Sequence, residues 1–233
     1  MLSGTLLQET AMNDAGKILN TRTALIFDLD GTLINTEPDI RRALNDALKE
    51  CRFEPMPAHM PVPNMHATLG DIVTTVMENQ GIPAAAMPDL LAAYAKYYRD
   101  NGHVDAQLYP GVLAFLQNQQ QRGCVMAVCT NKIRKDALRV LAHCEILPFF
   151  GSVIGGDTAV HPKPHPAPLL QALQEIGMAP EEAVFVGDTY VDALCASQIN
   201  MDFVHHEAGY GGEKVFDYPA NARFMDYRDL IQS

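Results

Sequence analysis

The stretch ALIFDLDGTLINTEP, residues 24–38, joins a run of four apolar residues directly to two carboxylates, Asp28 and Asp30. An unbroken apolar run of this kind is typical of a strand buried on both faces of a parallel sheet. Residues two apart in a strand point to the same side, so Asp28 and Asp30 are expected to project together from the strand end or from the turn beyond it. Two ionised carboxylates this close repel each other, which indicates a cation or a proton-transfer role for them.

The composition limits which classes of function fit the chain. Its 233 residues, 48% of them hydrophobic, suffice for one large α/β domain or for a core domain with a smaller companion. The formal net charge of −11 argues against binding to nucleic acid or to an anionic membrane, because both need clustered Lys and Arg. The five cysteines form no CxxC pair, and the N-terminus lacks the pattern of a secretory signal. We therefore expect a cytoplasmic protein whose partner is a small molecule.

Sequence patterns beyond the first strand change twice along the chain. Between about residues 39 and 107 apolar residues recur at helical spacing, interrupted by a proline-rich loop from Glu54 to Gly70, and no convincing strand is found. From about residue 108 onwards helices alternate with short apolar runs, CVMAVCTN, SVIGGD, AVFVGD and DFVHH. Such alternation indicates βαβ units and a parallel sheet.

The predicted fold class is therefore α/β, a doubly wound, Rossmann-like parallel sheet with a small all-helical cap inserted after the first strand. We expect a loosely ordered N-terminal extension over residues 1–20. The catalytic core is expected to comprise residues 21–38 and 108–233, and the helical cap residues 39–107.

Polar side chains follow the predicted strands at the ends where ligands bind in open parallel sheets. Lys163 lies nearby in the sequence, within the proline-bracketed loop HPKPHPAP. Several carboxylates, a hydroxyl, an amide and a lysine therefore converge on one edge, a set that suits a phosphoryl group together with Mg²⁺. The strand-end residues are Asp28 and Asp30, Thr130 and Asn131, and Asp188 with Asp192 one helical turn later.

Four segments in a fixed order, DLDGT, Thr130, KPHP and GDTYVD, resemble the four motifs of the haloacid dehalogenase (HAD) superfamily. The resemblance extends from about Thr23 to the C-terminus and includes a helical cap after the first motif. Within the superfamily, the segments TNK, GGD, KPHPAPL and the Gly209-Tyr210 pair are similar to those of phosphoglycolate phosphatases.

The resemblance implies a catalytic role for each acid of the first motif. Asp28 would attack the phosphorus and form an aspartyl-phosphate. Asp30 would protonate the leaving oxygen and then deprotonate the hydrolytic water. Mg²⁺ would be held by Asp28, the backbone carbonyl of Asp30, and Asp188.

The other motif residues would bind the phosphoryl group. Thr130 and Lys163 would contact its oxygens, and Asp192 would support Lys163 or the metal from a second layer. Main-chain N–H groups would help near Leu29, Asp30 and Asn131. General chemistry agrees with these roles, because a carboxylate is a known nucleophile toward phosphorus and cations must offset its repulsion from an anionic phosphate.

Several of these residues also have ordinary structural interpretations. Thr130 or Asp188 could cap a helix, Lys163 could be a solvated surface lysine, and Asp192 could face solvent. The ordered set of four motifs favours the functional interpretation. For the histidines the structural interpretation is preferred, because prolines break the helical spacing of the first pair and strand alternation separates the second. These histidines are His161, His165, His205 and His206.

Two departures from the family pattern concern Asn35 and the cap. Asn35 stands where DGTLxD motifs usually have a second Asp, and the proline-rich loop replaces the usual segment after the first cap helix. In cap-bearing relatives this region contributes to substrate choice. The candidate specificity residues are His59, Asn64 and His66.

The function predicted from the sequence is a Mg²⁺-dependent phosphatase acting on a small phosphomonoester, 2-phosphoglycolate or a similar metabolite. A phosphomutase of the β-phosphoglucomutase type, another small-metabolite phosphatase or pyrophosphatase, and a regulator that retains the fold are the alternatives. A dehalogenase is disfavoured because those enzymes need no acid at the position of Asp30, and a phosphonatase because no motif surrounds either Lys49 or Lys96.

Overall fold

The computed structural model describes residues 14–101 and 103–231, which divide into two compact units. The core unit comprises the described residues of Met1–Asn35 and Leu108–Ser233, and the helical unit comprises those of Thr36–Gln107. The insert expected at residues 39–107 lies within the helical unit.

The described part of the core unit is built on six parallel strands in the order β5-β4-β1-β6-β7-β8. Strand β1 lies between β4 and β6, with Phe27 opposite Val128 on one side and Val186 on the other. The carboxyl ends of these three strands therefore lie side by side. The strands are β1 (Ala24–Phe27), β4 (Val125–Cys129), β5 (Ser152–Ile154), β6 (Ala183–Gly187), β7 (Asp202–His206) and β8 (Ala222–Phe224).

Helices cover both faces of this sheet. Successive residues of β1 point to opposite faces, so each packs against different helices. The ring of Phe27 packs edge-on against that of Phe115 in α5. Ile26 belongs to a buried cluster with Leu169 of α7 and Ala193 of α8. This two-sided burial confirms the predicted α/β class and explains why the strands are continuous apolar runs. The helices are α5 (Val112–Gln121), α6 (Arg134–His143), α7 (Ala167–Ile176) and α8 (Tyr190–Ser197).

A helix over residues 14–21, α1, differs from the loosely ordered extension expected for residues 1–20. Ala15 and Leu19, four residues apart on one face, are fully buried. Asn20 accepts a hydrogen bond from the Gln119 side chain of α5 at 2.8 Å. Residues 1–13 of the predicted extension lie outside the described residues.

Three short strands were not predicted. β2 (Ile34–Asn35) and β3 (Gln107–Leu108) form a two-stranded sheet. β8 extends the main sheet beyond β7, pairing Phe224 with His206. Two or three residues are too few to produce a recognisable apolar run or alternation, so the sequence carries no signal for them.

The helical unit buries the side chains that the helical periodicity indicated. α2 (Glu37–Glu50) buries a stripe that packs with α3 (Leu69–Gln80) and α4 (Met87–Asn101). Thr68 and Asp71 form a capping box at the start of α3. The chain between α2 and α3 contains neither helix nor strand over residues 53–67, as the prolines predict. The buried stripe of α2 consists of Ile40, Ala43, Leu44, Ala47 and Leu48.

No helix within residues 14–101 and 103–231 combines the length and apolarity that crossing a membrane requires.

Candidate active site

Asp28 begins the site at the end of β1, where its backbone N–H continues the ladder to Val186 O at 2.8 Å. Its side chain faces Lys163, whose Nζ lies 2.8 Å from Asp28 Oδ1 and 2.6 Å from Asp192 Oδ1. The Lys163 side chain is only 2% exposed. A buried ammonium therefore bridges two buried carboxylates, and Lys163 is not a solvated surface lysine.

The site is electrostatically demanding because its charged groups are removed from water. Burial raises the pKa of Asp28 to about 7, an effect that Lys163 opposes and that Asp192 and Asp30 reinforce. Burial also lifts the pKa of Asp188 well above its usual range, and the charges of Asp28 and Asp192 add to this. For Lys163, burial disfavours the charged form, but Asp192 and Asp28 outweigh it and raise its pKa. Additional positive charge would therefore stabilise the ionised acids.

Asp188 directly follows β6 and is fully buried. Its Oδ1 accepts a hydrogen bond from Thr32 Oγ1 at 2.8 Å, and its Oδ2 accepts one from the backbone N–H of Tyr210 at 2.6 Å. Three glycines pack tightly around this residue. A Cβ atom would lie 2.3 Å from Asp188 Oδ2 at Gly31, 2.3 Å from Asp188 Cβ at Gly209, and 1.8 Å from Asp188 O at Gly211. The Gly209-Tyr210-Gly211 run therefore orients the Asp188 carboxylate.

A set of three carboxylates could hold a metal ion. Asp28, Asp188 and Asp192 each offer an oxygen atom, and these atoms all lie within 4.8 Å of one another. Asp192 already uses Oδ1 for Lys163 and Oδ2 for the backbone N–H and hydroxyl of Thr189, at 3.1 and 2.6 Å. Asp28 and Asp188 are thus the better-placed ligands, and buried carboxylate oxygens fit a hard cation such as Mg²⁺.

The Asp30 side chain contacts a lysine that the motif analysis did not assign. Lys132 Nζ donates a hydrogen bond to Asp30 Oδ1 at 2.8 Å, and the two side chains are 8% and 12% exposed. The sequence signal was available but unused: Lys132 is the third residue of the Thr130-Asn131-Lys132 run, which follows the strand beside β1.

Thr130 and Asn131 occupy the turn after β4. Thr130 is buried, and its hydroxyl accepts a hydrogen bond from Lys132 N at 3.1 Å. Thr130 is not the helix cap of the structural alternative, because Ile133 occupies the N-cap position of α6. The Asn131 amide accepts from Lys163 N at 2.8 Å and donates to Lys163 O at 3.0 Å. Its side chain therefore fixes the backbone that carries Lys163.

The histidines of β7 contact both acidic loops through neutral rings. His206 Nδ1 donates to Gly31 O at 2.9 Å, and His205 Nε2 donates to Asp188 O at 3.2 Å. Burial lowers the pKa of each ring to about 4, and Arg223 contributes to the lowering at His205. Sequence reasoning correctly placed them on opposite faces of a strand but treated them as ordinary polar residues.

Asn35, the departure from the family motif, accepts a hydrogen bond from the Tyr210 hydroxyl at 2.8 Å. An amide oxygen can accept this hydrogen bond, as a carboxylate oxygen also can. Tyr210 is thereby held at both its backbone and its hydroxyl.

The three candidate specificity residues belong to the helical unit. His59 is exposed in the proline-rich loop and His66 is half-buried. Asn64 is exposed, has a left-handed backbone with φ of 52°, and donates from Nδ2 to Thr75 Oγ1 at 2.8 Å. Their role in substrate choice stays a prediction.

Comparisons with known proteins agree with the fold. The family model of haloacid dehalogenase-like hydrolases matches residues 25–206. A phosphoglycolate phosphatase from Rhodobacter capsulatus is 33% identical over 217 residues, covering 89% of this chain and 94% of the relative. A phosphoglycolate phosphatase from Rhodospirillum rubrum is 32% identical over 213 residues, with coverage of 89% and 88%.

Solved structures show the same architecture. The crystal structure of a predicted phosphoglycolate phosphatase from Haemophilus somnus 129pt has a TM-score of 0.79 and 25% identity, and covers 90% of this chain and 96% of that one. The expected fold and the expected class of phosphoric monoester hydrolase, similar to phosphoglycolate phosphatases, are confirmed. The chain belongs to the haloacid dehalogenase-like hydrolase family.

Proposed function

We propose that this chain is a Mg²⁺-dependent phosphatase that hydrolyses a small phosphomonoester, 2-phosphoglycolate or a close chemical relative, through an aspartyl-phosphate on Asp28. The observation that carries the proposal is the buried contact of Asp28 with Lys163, beside the carboxylates of Asp188 and Asp192. The substrate is proposed from two relatives, both phosphoglycolate phosphatases, which this chain matches over 94% and 88% of their length.

The first half-reaction transfers the phosphoryl group to Asp28. A bond forms between a carboxylate oxygen of Asp28 and phosphorus while the bond from phosphorus to the leaving oxygen breaks. Asp30 gives its proton to that oxygen, so the oxygen leaves as a hydroxyl group rather than as an alkoxide. In the second half-reaction Asp30 takes a proton from water, the water oxygen attacks phosphorus, and Asp28 is released as a carboxylate together with inorganic phosphate.

Positive charge and fixed donors must balance the negative charge that gathers around phosphorus. Mg²⁺ held by Asp28, Asp188 and the backbone carbonyl of Asp30 would supply part of that charge. Lys163 supplies another part, and Asp192 keeps its ammonium in place. The Thr130 hydroxyl accepts from Lys132 N, which leaves its own hydrogen available for a phosphate oxygen. Main-chain N–H groups near Leu29, Asp30 and Asn131 complete the proposed cradle.

The test is phosphate release from a panel of small phosphate compounds, with and without Mg²⁺, using Asp28→Asn protein as the blank. The panel contains 2-phosphoglycolate, sugar phosphates, nucleotides and pyrophosphate. We expect Mg²⁺-dependent release that is fastest, in kcat/KM, with 2-phosphoglycolate and absent in the blank. Release that persists in a clean Asp28→Asn preparation would contradict the role of Asp28.

A second measurement examines the intermediate directly. Rapid denaturation during turnover, followed by peptide mass spectrometry, should find a phosphorylated peptide containing Asp28 in the wild-type protein and none in Asp28→Asn. Transfer of phosphate between sugar hydroxyls without release of inorganic phosphate would instead establish a phosphomutase. Binding of Mg²⁺ with neither release nor transfer would point to a regulator or to a substrate outside the panel.

A further inference from the structure

The two lysines of the site are held in different surroundings. Lys163 lies between Asp28 and Asp192 with its side chain 2% exposed, so its charge is enclosed with two carboxylates. Lys132 pairs with Asp30, and these side chains are 8% and 12% exposed. The pair of Lys132 and Asp30 is thus the more accessible of the two charged groups.

The position of Lys132 is fixed by its backbone. Its N–H donates to Thr130 Oγ1 at 3.1 Å, and its carbonyl accepts from Gly156 N at 2.9 Å. Gly156 packs so closely that a Cβ there would lie 2.4 Å from Asn131 O. The turn after β4 therefore presents Lys132 at a defined place beside Asp30.

Lys132 lies on the leaving-group side of the proposed reaction. Asp30 must approach the leaving oxygen to within hydrogen-bond distance, roughly 2.6–3.2 Å, to give it a proton. Lys132 Nζ is 2.8 Å from Asp30 Oδ1. Lys132 would therefore lie about two hydrogen-bond lengths from the leaving oxygen of the bound substrate. In the proposed reaction, the phosphoryl oxygens would instead contact Lys163 and Thr130.

We propose that Lys132 is a specificity-determining residue that favours leaving groups with a negative charge next to the leaving oxygen, as in an α-carboxylate. This inference rests on the proposed function. A carboxylate on the carbon bonded to the leaving oxygen would lie close to both Asp30 and Lys132, and the Lys132 ammonium would attract it through a charge-assisted contact. A charge-assisted contact of this kind corresponds to about 10- to 100-fold in affinity.

Three substrates that differ mainly in one charge test the proposal. 2-Phosphoglycolate carries a carboxylate on its ester CH₂ carbon, ethyl phosphate carries a methyl group there, and phosphoethanolamine carries a CH₂ group that ends in an ammonium. We expect the wild-type protein to prefer them in that order of kcat/KM. In Lys132→Met, the ratio of kcat/KM for 2-phosphoglycolate to that for ethyl phosphate should fall about 10- to 100-fold, mainly through KM.

Two further variants separate charge from positioning. Lys132→Gln can still donate a hydrogen bond to Asp30 but carries no charge, so it should lose the same preference as Lys132→Met. Lys135→Met removes an exposed lysine of α6 nearby and should leave the ratio unchanged. Thermal unfolding of each variant checks that the fold is kept.

The outcomes distinguish this inference from the proposed function. Equal losses on all three substrates, or retention of the preference in Lys132→Gln, would show that Lys132 acts only by positioning Asp30 and would overturn the inference alone. A wild-type protein that releases phosphate from 2-phosphoglycolate and ethyl phosphate equally well would also overturn it while the function stands. Absence of phosphate release from every substrate, in the panel above as well as here, would overturn both.

Discussion

The charged group at the strand ends and the neutral support from β7 both act on the loops after β1 and β6, but by different physics. The charged group consists of Asp28, Lys163 and Asp192, joined by contacts of 2.8 and 2.6 Å. The neutral support consists of His205 and His206, each of which donates from an uncharged ring to a backbone carbonyl. One region places charge where the phosphoryl group would react, and the other fixes the backbone that carries those charges.

The energetic consequences of the two regions should differ accordingly. Removing one member of a buried charge pair leaves an uncompensated charge, which costs about 3–5 kcal/mol and also removes the charge that chemistry needs. Removing a neutral hydrogen bond costs about 1 kcal/mol and leaves every charge in place. Substitutions in the charged group should therefore be felt first in turnover, and those in the neutral support first in stability.

Among the residues that support Asp28, the largest effect is expected from Lys163→Met. Because this ammonium counters the burial of Asp28 and would contact the phosphoryl oxygens, kcat for phosphate release should fall by about 1,000-fold or more. The free energy of unfolding should also fall, by about 3 kcal/mol, since Asp28 and Asp192 lose their partner. Steady-state kinetics and urea unfolding measure the two effects, with Lys135→Met as the control. A kcat in Lys163→Met equal to that of the wild type would contradict the role of Lys163 in phosphate release.

A smaller effect is expected from Asp192→Asn. The amide can still accept a hydrogen bond at the start of α8 but no longer pairs its charge with Lys163, so kcat should fall about 10- to 100-fold. If Asp192 acts on Lys163 rather than as a metal ligand, Mg²⁺ affinity should change little. Asp188→Asn is the comparison, because it should abolish Mg²⁺ binding. Calorimetric titration that finds equal losses of Mg²⁺ affinity in both variants would place Asp192 among the metal ligands.

The two regions also differ in how well the sequence predicts them. The positions of Asp28 and Asp188 could be foreseen because an apolar run fixes where a strand ends, and a parallel sheet brings those ends to one edge. The contacts of Lys132 and of the β7 histidines could not, because they depend on side-chain directions and on which turn lies beside which. A neutral ring that donates to a backbone carbonyl 175 residues away in the chain, as His206 does, leaves no pattern in spacing or composition. The helix over residues 14–21 was not predicted, because its two buried apolar side chains, Ala15 and Leu19, are too few to form a recognisable helical periodicity.

The smallest effect, and the one that sharpens the contrast most, is expected from His206→Val. At pH 7.5 the variant should lose about 1 kcal/mol of stability through the hydrogen bond to Gly31 O, with kcat close to that of the wild type. The pKa of His206 is lowered from 6.5 to about 4 in the fold, so between these values the unfolded chain binds the proton that the folded chain does not. Stability from this residue is therefore complete above pH 6.5 and is lost as the pH falls toward 4.

That sign predicts a crossing of the two proteins on acidification. From pH 7.5 to pH 5 the wild type should lose about 2 kcal/mol of unfolding free energy through His206, a loss that the valine variant does not share. The difference between the two proteins should therefore shrink and then reverse. Urea unfolding at both pH values measures it, with a substitution of the exposed His143 by Gln as the control. If the difference in unfolding free energy between the two proteins stayed constant across this range, the His206 ring would not stay neutral in the fold. The distinction between the charged group and the neutral support would then not hold for His206.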